Sequence, residues 1–266
     1  MSPLVSAIVL TTWTPGYAVR CVAALRGQTI ADQIEIIVVE NHSQDDSIGI
    51  LRTRLKDIPT VRLIETPENH GYGWGNNFGA TYATGKYILI INPDNEPEPN
   101  AIEKMVAMME ADPSIGILAP RLQYGDGTVR QSSRSFPTIL DVIIKRIPLL
   151  QPFFKQRIAR YLQSGVTSLE PRDTDWVVGA VLMLQLDFYR ELKGFDERFF
   201  LFFEDMDLSR RTLKVGKRVV YAPRITVRDR KDRLSGESFL SILLKKTGRI
   251  HIASAVKYFW KWRAEV

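Results

Sequence analysis

Short apolar runs rich in β-branched residues alternate with helix-like segments through the first half of the chain. This alternation restricts the fold more than any other feature. Val5–Leu10, Ile34–Val39, Val61–Ile64, Tyr87–Ile91 and Ile115–Ala119 read as strands, with helical spacing between them at Tyr17–Arg26, Ser47–Lys56, Trp74–Thr84 and Asn100–Glu110. Strands that are almost continuous in Val, Ile and Leu are those covered on both faces. The expectation is therefore an α/β chain built on a mostly parallel central sheet flanked by helices. Such sheets bind ligands beyond the carboxyl ends of their strands, so the loops at those ends carry most weight.

The second half is less regular. Gly125-Asp126-Gly127 marks a turn and predicts a small hairpin between Arg121–Tyr124 and Thr128–Gln131. Trp176–Leu184 reads as a strand and Asp205–Val215 as a helix. Phe136–Leu162 is apolar but studded with Lys145, Arg146, Lys155, Arg157 and Arg160, and Ser238–Arg263 carries Lys245, Lys246, Arg249, Lys257, Lys261 and Arg263 with no acid. These stretches predict basic amphipathic helices. The expected division is one α/β unit over 1–235, with halves of about 1–120 and 121–235, followed by a basic helical segment over 236–266.

The net charge of +6 points to an acidic partner: a nucleotide, a nucleic acid or an anionic membrane. Cys21 is the only cysteine, which excludes an intrachain disulfide and fits a reducing compartment. Met1-Ser2-Pro3-Leu4 runs into a strand with no basic segment before it, unlike a secretory signal. The longest apolar stretch, Ile139–Phe154, is interrupted by Asp141, Lys145, Arg146, Pro148 and Pro152, so no membrane span is expected.

Three constellations carry chemistry. Val38-Val39-Glu40-Asn41-His42-Ser43 and Ile90-Ile91-Asn92-Pro93-Asp94-Asn95 are apolar strands that end in acidic loops on one edge of the sheet. A carboxylate there can accept hydrogen bonds from a nucleoside or hold a hard divalent cation beside phosphates. Ordinary turns use the same residue types. Between them, Asn69–Gly79 is glycine-rich, which suits close approach to a ligand or equally close helix–sheet packing. It matches neither the dinucleotide fingerprint nor a P-loop. Third, Glu204, Asp205 and Asp207 stand behind the aromatic run Phe199–Phe203 and open a helix. The macrodipole alone favours acids there, but a carboxylate in a partly dry cleft can also acquire the pKa of a general base. The three histidines have no metal-ligand spacing.

In this order the constellations resemble family 2 glycosyltransferases of the GT-A fold, rhamnosyltransferase-like members in particular. The resemblance runs over roughly Val5 to Tyr221. It rests on Val5–Thr12, on Ile36–Ser47 with Glu40 in place of the usual Asp, on Asn69–Gly79, on Asn92-Pro93-Asp94, and on Gly179-Ala180 followed by Gly194–Arg211. It implies that Thr11, Glu40, Asn41, Gly71, Asn77 and Asn92 hold the donor nucleotide, that Asp94 holds Mg2+ or Mn2+, and that Asp205, with Glu204 beside it, is the catalytic base. After Pro223 similar proteins usually carry a histidine five residues on; here stands Arg228, expected to take over part of the diphosphate's charge.

The implied reaction is inverting transfer of a hexose, rhamnose above all, from a nucleoside-diphosphate sugar to a glycan or polyprenyl-linked acceptor in cell-surface polysaccharide synthesis. The implied place is the cytoplasmic face of the inner membrane, in peripheral contact with anionic lipid through the basic segments. Two other readings are a catalytically weak sugar-nucleotide- or polysaccharide-binding module and a nucleic-acid-binding protein. The second leaves Asp94 and Asp205 unexplained, so no nucleic-acid partner is expected.

Overall fold

The computed structural model describes residues 2–163, 168–230 and 246–264. Four strands form its parallel half: β1 (Val5–Thr11), β2 (Ile34–Glu40), β3 (Val61–Glu65) and β4 (Tyr87–Ile91). Helices α1 (Pro15–Arg26), α2 (Ser47–Leu55) and α3 (Tyr72–Ala80) connect them. The chain continues through β5 (Glu96–Pro97), α4 (Ala101–Ala111), β6 (Ile115–Tyr124), β7 (Ser133–Arg134), α5 (Ile139–Arg146) and α6 (Lys155–Tyr161). It closes with β8 (Arg172–Asp173), β9 (Trp176–Val177), β10 (Val181–Gln185), α7 (Leu186–Glu191), α8 (Glu204–Lys214), β11 (Arg218–Asp229) and α9 (Lys246–Lys261).

The main sheet runs β3-β2-β1-β4-β10-β6-β11-β5, with β8 paired to β11. β10 is antiparallel to both β4 and β6, whereas β6 and β11 are parallel. Alternation along the strands feeds two cores. Val5, Ala7 and Val9 join Ile36, Val38, Leu89 and Ile91 beneath α1 and α4, while Ile8, Ile37, Val39, Ile88 and Ile90 pack on the opposite face with Phe195 and Leu208. α1 meets the sheet through Ala18, Cys21, Val22 and Leu25, one helical stripe opened by Pro15 at its start.

The hairpin at Gly125-Asp126-Gly127 forms as expected: Gln123 bridges Val129, the Tyr124 amide donates to Thr128 O and the Arg130 amide to Leu122 O, both at 2.9 Å. One expectation needs correction. The stretch Trp176–Leu184 is two strands, because the chain leaves β9 at Val177 and re-enters the main sheet as β10 at Val181.

A third core joins α5, α6, α8 and α9. Tyr161, Trp176, Phe199, Phe203, Met206, Tyr258 and Trp262 are buried together, with Phe136 and Val142 packed against them. Arg210 lies over the rings of Phe136, Tyr258 and Trp262 at 4.1, 5.6 and 5.3 Å. Among the described residues no helix is long and apolar enough to cross a membrane.

Candidate active site

The carboxyl ends of β1, β2 and β4 lie side by side, since Thr11 is in register with Glu40 and Val9 with Ile91. Thr11 is buried, its hydroxyl 3.0 Å from that of Thr14. Glu40 is buried too, and its carboxylate accepts the Ser43 amide at 3.0 and 3.2 Å as well as the Ser43 hydroxyl. These bonds are those of a turn, yet an ionised carboxylate has about four acceptor sites, which leaves capacity for a ligand hydroxyl. Asn41 Nδ2 donates to Asn69 Oδ1 at 3.2 Å, tying this loop to the glycine-rich one.

Gly71 has φ +103, and a Cβ there would stand 2.0 Å from the carbonyl oxygen of Phe200. Only glycine lets the two loops meet so closely. The same Phe200 oxygen accepts the Tyr72 amide at 2.8 Å. Asn77 departs from its expected role. Its Oδ1 accepts from the Tyr189 hydroxyl at 2.6 Å and the Phe195 amide at 2.9 Å, while Nδ2 donates to Phe195 O at 2.9 Å and Glu197 Oε1 at 3.0 Å. With two bonds accepted and two donated the amide is saturated. Asn77 braces α3 against the Phe195 loop and has nothing left for a nucleotide.

Asn92 and Asp205 are brought together by a residue that the sequence reading passed over. The Tyr72 hydroxyl lies 2.9 Å from Asn92 Oδ1 and 2.5 Å from Gly179 O. Gly179 in turn donates its amide to Asp205 Oδ2 at 2.9 Å, and the Met206 amide donates to Asp205 Oδ1 at 2.8 Å. The break between β9 and β10 leaves the Gly179 amide outside any ladder, where it bonds Asp205. α8 carries Glu204, Asp205 and Asp207 in its first turn, and enters from Phe202 and Phe203, both at φ +70.

Burial raises the pKa of Glu204 well above the ordinary carboxylate range, and the neighbouring Asp205 charge adds to the effect. Glu204 is buried and its Oε2 has no hydrogen-bond partner. Asp205 is also raised by burial, against the opposing pull of the Gly179 and Met206 amides and of Arg134. The pair therefore divides its roles. The Gly179 and Met206 amides favour ionised Asp205, whereas Glu204 keeps an unpartnered Oε2.

Asp94 sits at the end of β4 in a cluster of opposite charges. Burial raises its pKa first and Asp229 second, whereas Arg130 and Arg230 pull it down. Asp229 is held by Asn95 Nδ2 at 3.0 Å and by Arg130 at 2.8 Å. Arg228 does not join this cluster. It is exposed, and strand alternation sets it on the opposite face of β11 from the buried Val227 and Asp229. The guanidinium that does join is Arg230, at 4.3 Å over the Tyr17 ring.

A divalent cation fits these residues in part. Asp94 is a hard oxygen donor and the buried Asn95 Oδ1 beside it has no partner, but among the described residues no group of three or more His, Cys, Asp or Glu could hold a metal. The remainder of a coordination shell would come from phosphate oxygens and water, as is usual for magnesium.

The basic tail is partly turned inward. Trp262 Nε1 donates to Asp207 Oδ1 at 2.9 Å, and Lys261 pairs with Asp207 at 2.6 Å and Asp196 at 2.8 Å. Ser254 and Lys257 donate to the carbonyls of Leu201 and Arg198. Along the other face of α9, Ile252, Val256 and Trp260 are exposed beside Lys246, Arg249 and Arg263. Lys245 lies outside the described residues.

Comparison with known proteins places this geometry. The family model for glycosyl transferase family 2 matches residues 6–169. An N-acetylglucosaminyl-diphospho-decaprenol L-rhamnosyltransferase of Mycobacterium tuberculosis is 26% identical over 270 residues, which cover 97% of this chain and 86% of that protein. The O-antigen biosynthesis protein RfbC of Myxococcus xanthus is 27% identical over 82% of this chain and 16% of its own length. Among solved structures, GalNAc-T7 with UDP, GalNAc and Mn2+ superposes with a TM-score of 0.65 at 15% identity, over 87% of this chain and 44% of that one. The mannosyltransferase PcManGT of Pyrobaculum calidifontis, in complex with GDP-Man and Mn2+, superposes at 0.63 and 18% identity, over 97% of this chain and 65% of that one. The fold is the GT-A fold.

Proposed function

The chain belongs to glycosyl transferase family 2, and from that premise we propose that it transfers rhamnose, with inversion, from a nucleoside-diphosphate donor to a polyprenyl-diphosphate-linked sugar. The observation that carries this reading is the Tyr72 hydroxyl, which reaches Asn92 beside Asp94 and Gly179 beside Asp205. A donor-side acid and an acceptor-side acid are thereby tied to one rigid point, as a single in-line displacement requires.

Thr11, Glu40 and Asn41 bind the nucleoside at the strand ends, and the Gly71 loop closes over it. Asp94 and Asn92 face the diphosphate. A divalent cation, Mg2+ or Mn2+, bound at Asp94 would supply charge neutralisation for the leaving diphosphate. Asp205, positioned by the Gly179 and Met206 amides, takes the acceptor hydroxyl proton as that oxygen attacks the anomeric carbon from the face opposite the diphosphate. One displacement suffices, and no covalent glycosyl-enzyme forms. Burial makes Glu204 hold its proton more tightly than an ordinary carboxyl, which leaves Asp205 as the base.

The acceptor belongs at a bilayer. The exposed stripe Ile252–Val256–Trp260 flanked by Lys246, Arg249 and Arg263 supports peripheral contact with anionic lipid, as do exposed Ile139, Leu140 and Ile143 on α5. The name of the mycobacterial relative supports a diphospho-polyprenol acceptor, and on this reading the protein works at the cytoplasmic face of the membrane.

The test is transfer by purified protein from deoxythymidine-diphospho-rhamnose to N-acetylglucosaminyl-diphospho-polyprenol with Mn2+, the product's anomeric configuration being read by NMR. Inverted rhamnosylated lipid is expected. Failure to consume that donor, while another nucleoside-diphosphate hexose is consumed, would reject rhamnose; retention of configuration would reject the single displacement.

A further inference from the structure

We propose that Arg230 grips the donor's diphosphate and that nucleoside-diphosphate binding therefore survives removal of the divalent cation. The inference rests on the donor reading above and adds to it a residue that neither the family resemblance nor the motif spacing marks.

β11 ends at Asp229. Asp229 is buried, and its charge is consumed internally: Arg130 takes Oδ2 at 2.8 Å, while Asn95 Nδ2 and the Arg230 backbone amide take Oδ1 at 3.0 and 2.8 Å. Arg230 thus meets Asp229 through its main chain, not its guanidinium. That guanidinium is carried onto the face of Tyr17, 4.3 Å from the ring centroid, in the first turn of α1. Tyr17 donates its own amide to the carbonyl of Thr14, and the Thr14 hydroxyl touches Thr11 at the end of β1. Arg230 is therefore fixed over the strand ends where Asp94 stands, and it is exposed.

Stacking is the informative part. A guanidinium on an aromatic face uses its π surface and keeps its in-plane N–H groups free to fork onto an oxyanion. Phosphate oxygens are the fitting partner, because the pair is bidentate and charge-assisted on both sides. The acids nearby do not compete. Asp229 is spent on Arg130, and Glu96 pairs with Arg20 at 3.3 Å. Among the described residues no group of three or more metal-ligating side chains surrounds Asp94, so positive charge for the diphosphate must come substantially from side chains.

Calorimetric titration of deoxythymidine diphosphate and of thymidine decides the matter, in Mn2+ and again in EDTA, for the full chain, Arg230→Ala, Arg230→Lys and Arg228→Ala. The wild type should retain measurable diphosphate affinity in EDTA. Arg230→Ala should weaken diphosphate binding by about 10- to 100-fold, the equivalent of one lost charge-assisted contact, with thymidine binding unchanged. Arg230→Lys should recover only part of the loss, since ammonium has no planar fork. Wild-type affinity in Arg230→Ala would overturn the proposal, as would a larger loss in Arg228→Ala or complete dependence of the wild type on Mn2+. If the wild type binds no nucleoside diphosphate under either condition, the donor reading itself fails and this inference falls with it.

Discussion

The indole N–H of Trp262 donates to Asp207 Oδ1 at 2.9 Å, joining α9 to the first turn of the helix that carries the proposed base. Asp207 is fully buried and also holds Arg211 at 2.8 Å and Lys261 at 2.6 Å. The tail helix is thus part of the support for Asp205, two residues away on α8. Trp262→Phe keeps an aromatic ring, though a smaller one, and removes the donor. It should lower stability by about 1–3 kcal/mol, the cost of leaving a buried charged acceptor short of a partner. Urea denaturation with an unchanged slope checks it; an unchanged midpoint would show that the bond contributes nothing.

Asp205→Asn keeps the side chain's shape and deletes its capacity to take a proton. Turnover should fall by about two to four orders of magnitude, with nucleoside-diphosphate affinity little altered. Single-turnover kinetics beside calorimetry separates the two quantities. Wild-type turnover would transfer the role to Glu204 or Asp207.

Glu204 supplies a pH signature. Burial and the Asp205 charge raise its folded pKa above the ordinary glutamate value of 4.5. Between the two values the unfolded chain therefore loses a proton that the folded chain keeps. The stabilising contribution is complete below the unfolded value and diminishes as pH rises toward the folded one. Glu204→Gln has no proton to lose, so its Tm advantage over wild type should widen between pH 4.5 and pH 7. A difference in Tm that stays constant across this range would mean that Glu204 ionises normally.

The exposed stripe of α9 predicts a separation of binding from folding. Trp260→Ser with Arg249→Gln should reduce flotation with anionic vesicles at moderate salt and leave Tm unchanged, since both residues are exposed and Trp260 contributes no side chain to the core. Equal flotation of variant and wild type would remove this face from the bilayer.

β1, β2 and β4 were legible because each buries both faces, which leaves a continuous apolar signature in Ile34–Val39 and Tyr87–Ile91. Asn77 misled because an amide in a glycine-rich loop looks the same whether it binds ligand or Phe195. Arg230 was invisible for a different reason. Its surroundings are assembled from residues near 17, 94, 130 and 229, and no local spacing encodes that meeting. The tail had periodicity that suited a single basic face. It has two apolar stripes, Ser254–Tyr258–Trp262 inward and Ile252–Val256–Trp260 outward, so Lys261 belongs to the interior network and not to the lipid-facing set.

The tie between Trp262 and Asp207 also has a consequence in time. The two residues are 55 positions apart, and at ordinary synthesis rates of 5–20 residues per second roughly 3–11 s separate their appearance. During that interval Asp207 lacks both Trp262 and Lys261, and the Arg198–Leu201 carbonyls lack the α9 donors that later fix the acceptor-side loop. The nucleotide half, whose strands all precede residue 92, has its sheet partners long before then. The order of synthesis thus sets the parallel strands ahead of the helix that braces the proposed base.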